Sequence, residues 1–110
     1  MKLLLASLLA IAATSAAPAP QTFTGTITDS ECADANHSRM RMGPTDAECA
    51  LACAEEHGAT YLLYDGKVAY ALSNQKTPMP FASRKVTVTG TLDAKTKTIQ
   101  VVSIAPAKQE

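Results

Sequence analysis

The chain has no excess of charge of either sign: ten basic and ten acidic side chains balance to a formal net charge of +0. Such a balance implies neither a nucleic-acid surface nor a polybasic membrane patch. The chain also lacks a second long apolar run, so past its N-terminal segment no stretch is long enough to span a bilayer. It contains no Cys-x-x-Cys pair, no glycine-rich phosphate loop and no serine in a nucleophile-elbow sequence. Thiol exchange, nucleotide chemistry and serine hydrolysis thereby lose their sequence support, and a non-enzymatic role is the expectation.

The N-terminal apolar run reads as a secretory signal peptide over residues 1–16. Lys2 supplies the positive end, Leu3 to Ala13 is apolar apart from Ser7, and Thr14-Ser15-Ala16-Ala17 offers small residues for cleavage. Pro18 disfavours a cut directly before it, which places the cut after Ala16. The expected destination is the periplasm or the exterior of a bacterium. Residues 17–21 read as a disordered leader, 22–104 as the folded domain and 105–110 as a fraying tail. What remains is long enough for one domain with a modest core.

Within that domain Thr22 to Asp29 alternates with period two, placing Phe23, Gly25 and Ile27 on one face. Residues 29–43 are polar and irregular. Thr45-Asp46-Ala47-Glu48 is a capping box and Gly58 suits a C-terminal stop, which predicts a helix from Asp46 to His57. His57 is placed to cap the last carbonyls. Thr60 to Tyr64 and Lys67 to Leu72 flank Asp65-Gly66, a two-residue hairpin signal. Phe81-Ala82-Ser83 is expected to form a short turn that plugs one end of the core. Lys85 to Leu92 and Thr98 to Ile104 are the last two strands, and the predicted core is Phe23, Ile27, Val86, Val88, Leu92, Ile99 and Val101. Five short strands and one helix inserted after the first strand point to a small, mostly β, closed or nearly closed barrel. Thr24-Gly25-Thr26 is echoed by Thr89-Gly90-Thr91, which fits two strands that each need a glycine at a sharp bend and equally fits chance recurrence in a β-rich sequence.

The opening Phe23-Thr24-Gly25-Thr26-Ile27-Thr28-Asp29-Ser30-x-Cys32, the segment His37-Ser38-Arg39-Met40, the helical Cys49 to Cys53 pair, the hairpin Tyr61 to Leu72 and the ending Val86 to Leu92 together resemble a family. That family consists of small exported bacterial proteins of unknown function with an OB-like β-barrel. The likeness covers Phe23 to about Ile104, and the cysteine pattern is its specific part. It implies a five-stranded OB-like barrel and brings no established activity. The helix follows the first strand here, whereas an OB-fold usually carries it after the third.

The residues that carry chemistry are Cys32, His37, Cys49 and Cys53, spaced Cys-x4-His-x11-Cys-x3-Cys, with Met40 and Met42 between them. Tetrahedral zinc accepts a Cys3His set, and the thioethers also suit cuprous copper. Cys49 and Cys53 lie four apart on a helix, about 5–6 Å between Cβ atoms, too far for a disulfide without breaking the helix. They can grip one metal ion, or either can reach Cys32. A disulfide from Cys32 to Cys49 or Cys53, pinning the irregular loop to the helix, is the alternative, and it would make the protein a disulfide-stabilised ligand- or protein-binding module. Thiol redox chemistry at Cys32 is a third reading. The expected partner is a metal ion, copper or zinc, or an unidentified periplasmic protein. Nucleic acid and membrane are not expected partners, and the expected state is a monomer. Tyr64 is a candidate to stack a ligand on an outer face.

Overall fold

The computed structural model of the chain describes residues 19–108. The expected signal peptide at 1–16 lies outside the described residues. Five strands and one α-helix follow in the order β1 (Gln21–Asp29), α1 (Asp46–His57), β2 (Tyr61–Tyr64), β3 (Ala69–Leu72), β4 (Lys85–Asp93) and β5 (Thr98–Pro106). Two single turns of 3-10 helix sit at His37–Arg39 and Met79–Phe81. The strands pair in the order β1-β2-β3-β5-β4, and β4 returns to β1, so the sheet closes into a ring. Every pairing is antiparallel except that of β3 with β5. The mostly β class and the helix inserted after the first strand are as the sequence implies.

Closure requires close approach of neighbouring strands, and the two Thr-Gly-Thr sequences provide it. A Cβ on Gly25 would stand 2.3 Å from the Tyr64 carbonyl oxygen, and one on Gly90 would stand 2.2 Å from that of Gln100. The register shift in the β4–β5 pairing falls at Thr89/Gly90, where the strand bends.

Ile27, Tyr61, Leu63, Leu72, Val86, Val88 and Ile99 form the core inside the ring. The predicted core residues Phe23, Leu92 and Val101 are only partly buried against it. Phe23 precedes the part of β1 that pairs with β2, and Val101 follows the two residues of β5 that pair with β3. Both stand where the ring is covered on one side only. Tyr61, Leu63 and Leu72 come from strands too short to show a period. Phe81 packs on the core from its 3-10 turn, and Ala82 bridges to Ile27, as the expected plug does.

The hairpin differs from the expected two-residue turn. Asp65 Oδ1 accepts from the amides of Lys67 (2.8 Å) and Val68 (2.7 Å), so β3 starts at Ala69 rather than Lys67. The aspartate side chain replaces the strand pairing that residues 67–68 would have made. The first and last strands also reach further than expected. Gln21 belongs to β1, β5 runs to Pro106, and the Ala107 amide donates to the Lys85 carbonyl at 3.1 Å.

Helix α1 begins where the capping box places it, with the Glu48 amide donating to Thr45 Oγ1 at 3.1 Å. It ends at Gly58, whose φ of 64° is the left-handed cap. Leu51 and Ala54 pack on the core and Ala50 is fully buried. His57 stands exposed in the last turn.

Candidate metal centre

The site is built where β1 ends. Asp29, its last residue, is fully buried, and its Oδ1 accepts from the amides of Glu31 (2.9 Å) and Cys32 (3.2 Å). Thr28 Oγ1 donates to the Cys32 carbonyl at 2.6 Å, and the Ala35 amide donates to the same carbonyl at 2.8 Å. The Ser30 amide donates to the Thr60 carbonyl, tying the turn to the strand that follows α1. These bonds fold residues 29–35 into two consecutive tight turns and carry Cys32 back over the end of the strand. Ala35 takes a left-handed φ of 60° to make the second reversal. Asn36 then caps the 3-10 turn by accepting from the Ser38 amide at 3.1 Å, and this turn drives His37 inward until it is 3% exposed.

The result is a buried cluster of Asp29, Cys32 and His37 whose donor atoms all lie within 4.8 Å of one another. Asp29 Oδ2 and His37 Nδ1 face each other at 3.8 Å. Both atoms are buried and neither has a hydrogen-bond partner. Buried polar atoms are rarely left so, since each costs about 1–3 kcal/mol when unsatisfied. A charge-assisted hydrogen bond between them would close the gap to about 2.7–2.9 Å. The observed 3.8 Å lies nearer the edge, about 3.3–3.5 Å, of a tetrahedron with oxygen and nitrogen ligands at about 2.0–2.2 Å.

Cys49 and Cys53 approach from α1, both with no exposed surface. The Met42 amide donates to Cys49 Sγ at 3.2 Å, and Cys49 Sγ donates in turn to the Met40 carbonyl at 3.4 Å. The cluster is electronegative. Burial pushes the Cys53 thiol up to about 11, and the charges of Asp29, Cys49 and Cys32 push the same way. Cys32 is likewise raised, first by burial and then by Asp29 and Cys49, with Arg39 opposing. Asp29 and Cys49 thus disfavour ionisation of both Cys32 and Cys53, and a bound cation would oppose that effect by favouring the thiolates. All three cysteines are free thiols, and no pair stands at disulfide distance.

Of the residues singled out from sequence, Cys32 and His37 are brought together with Asp29, while Cys49 and Cys53 fall outside that group and connect to it electrostatically, Cys49 acting on Cys32 and both Asp29 and Cys32 acting on Cys53. Met40 and Met42 meet the cluster through a backbone carbonyl and a backbone amide. Asp29 was missed. The signal that finds it is a strand-ending acid three residues before a cysteine, the spacing at which a turn folds one side chain over the other. Tyr64 donates its hydroxyl to the Gly66 carbonyl at 3.0 Å, which gives it a place in the hairpin turn. His37 also borders a surface pocket of roughly 480 Å³ shared with Asn36, Arg41 and Asp46. No family model matches the chain, and no curated protein or solved structure is similar to it.

Proposed function

We propose that this is a small exported binding protein that holds a transition-metal ion, zinc or copper, through Asp29, Cys32 and His37 with thiolates from Cys49 and Cys53, and that it has no catalytic role. The observation that carries the reading is the pair of orphaned, buried, facing atoms Asp29 Oδ2 and His37 Nδ1 beside the Cys32 sulfur. The Met42 amide directed at Cys49 is a second support, because hydrogen bonds from outer groups orient a ligating side chain. Mixed carboxylate, imidazole and thiolate donors suit Zn2+. The added oxygen donor makes zinc a better match than the cuprous ion favoured by the methionines alone. The strand order, with its parallel β3–β5 pair, supports an OB-like barrel as the scaffold. The N-terminal signal supports export.

Cysteine, histidine and aspartate are also the ingredients of a nucleophilic site. Cys32 is 3% exposed and its thiol is raised by burial and by Asp29. Burial keeps a substrate from reaching a nucleophile, whereas a bound metal ion would itself favour the thiolate, so the same geometry favours a ligand role.

Elemental analysis of protein expressed in zinc-replete medium, followed by anaerobic titration of the reduced apoprotein with Zn2+, tests the reading. The expected result is equimolar metal, proton release on binding and loss of thiol reactivity at all three cysteines. Substoichiometric metal together with a disulfide from Cys32 to the helix would favour the disulfide-stabilised module instead.

A further inference from the structure

We propose that the outer face of β1, β4 and β5 is a second binding site, for a phosphate- or sulfate-bearing ligand. The register lays out this face in rows. Thr22, Thr89 and Ser103 lie side by side across the three strands, and so do Thr24, Thr87 and Ala105. Alternation sends these side chains away from the core, since their neighbours Ile27, Val86 and Val88 fill the interior. The face is therefore a floor of small side chains, most of them hydroxyls, over which a ligand can lie close to the sheet. The Thr-Gly-Thr echo in the sequence contributes to both functions of these strands: its glycines let the ring bend, and its threonines supply part of the floor.

At one end this floor opens into a groove of roughly 1210 Å³ between Thr24 and Thr87 and residues 105–108, bordered by Arg84, Lys85 and Lys108. Among the described residues three cations border it and no carboxylate does. The other two arginines are paired, Arg39 with Asp34 and Arg41 with Asp46. Among the described residues Arg84, Lys85 and Lys108 have no such partner. In a chain whose charges cancel, three cations gathered around one groove with no carboxylate partner among the described residues are a local feature and not the overflow of a basic protein.

The cations are also held in place. The Arg84 amide donates to the Phe81 carbonyl at 2.8 Å, its carbonyl accepts from the Ile27 amide at 3.1 Å, and its guanidinium lies 5.6 Å from the Phe81 ring centroid. A guanidinium positioned in this way presents its planar donors to an oxyanion with little entropy left to lose. The bond from the Ala107 amide to the Lys85 carbonyl brings Lys108 to the other side of the groove. Thr24 Oγ1 and Thr87 Oγ1, 3.4 Å apart, offer neutral donors on the floor between them. Fixed guanidinium, two ammonium groups and paired hydroxyls are the donors that a tetrahedral oxyanion requires, and the groove is wide enough for such a group attached to a larger molecule. This site is independent of the metal cluster.

The test is a titration of the full chain with inorganic pyrophosphate and, separately, with sulfate, followed by amide chemical shifts. The expected result is saturable shifts confined to Thr24, residues 84–87 and residues 105–108. The double substitution Arg84→Gln/Lys85→Gln should weaken binding about tenfold or more. Thr24→Val/Thr87→Val should weaken it without any change in charge, while Lys95→Gln/Lys97→Gln on the β4–β5 turn should leave it unchanged. Preserved shift dispersion shows that each variant is folded. Absence of saturable shifts with either anion would overturn the proposal. So would equal weakening by the Lys95/Lys97 control, which would reduce the effect to diffuse electrostatics.

Discussion

The backbone amide of Met42 donates to the sulfur of Cys49 across 3.2 Å. Sequence reasoning selects Met42 for its thioether, but the structure uses its main chain. The loop from His37 to Gly43 is therefore shaped to present amides and carbonyls to a thiol on α1. Met40→Leu and Met42→Leu are expected to leave zinc affinity within about threefold, because packing volume is conserved and the backbone contacts remain. Met42→Pro removes the N–H and should weaken zinc binding by at least about tenfold, the scale of an outer-shell loss. Competition titration with a chromophoric chelator reads both effects. A large loss with leucine at both positions would return the thioethers to the ligand set.

Asp29 has separable roles on its two oxygens. Oδ1 holds the turn by accepting two amides, while Oδ2 is free to ligate. Asp29→Asn retains a carbonyl oxygen for the turn and loses the anionic donor. It should fold, and bind zinc at least about tenfold more weakly than the parent. Asp29→Ala should in addition lose about 2 kcal/mol of stability, as the Glu31 and Cys32 amides lose a partner. Chemical denaturation of the apoproteins separates the two effects. An asparagine variant with parental affinity would remove Asp29 from the metal site.

The pH dependence of the apoprotein follows from Cys53. Its thiol is raised from an ordinary 9.0 to about 11, so between those values the folded chain keeps a proton that the unfolded chain has released. Fewer protons bound in the unfolded state means that stability falls with rising pH. The stabilisation is complete below pH 9 and is lost toward pH 11. Urea midpoints of reduced apoprotein across this window should decline, and Cys53→Ala should flatten the slope whatever its effect on absolute stability. Zinc affinity should run the opposite way and weaken as pH falls, because the raised thiols of Cys32 and Cys53 must lose protons to ligate.

The scaffold can be tested apart from the metal. Thr45→Ala should cost about 1 kcal/mol by releasing the Glu48 amide, and the amides of the first turn of α1 should exchange faster. Gly90→Ala should be far more damaging, since its Cβ would collide with the Gln100 carbonyl. Parental thermal stability in Gly90→Ala would show that the β4–β5 strands do not pack as closely as described.

The fold was largely legible because its signals are local. The capping box at Thr45 and the left-handed glycine at 58 bound α1 in the sequence as they do in the structure, and alternation in β1 and β4 identifies Ile27, Val86 and Val88. The hairpin was harder to read. A side-chain bond from Asp65 competes with strand pairing at Lys67 and Val68, and the spacing of Asp65-Gly66 alone does not show which prevails. The donor cluster was half legible. Cys32 and His37 stand out by type, whereas Asp29 looks like an ordinary strand terminus until two tight turns fold the chain back over it. The outer-face groove was illegible for a different reason: Thr24, Thr87 and Lys108 are far apart in sequence, and only the strand register places them together.

The measurement closest to the central claim is X-ray absorption at the zinc edge on the reconstituted, reduced protein. A first shell of mixed sulfur and nitrogen or oxygen donors, losing a light donor in Asp29→Asn or His37→Ala and a sulfur in Cys32→Ser, is the expected result. A shell of nitrogen and oxygen alone, or a protein that takes up no zinc to measure, would contradict it.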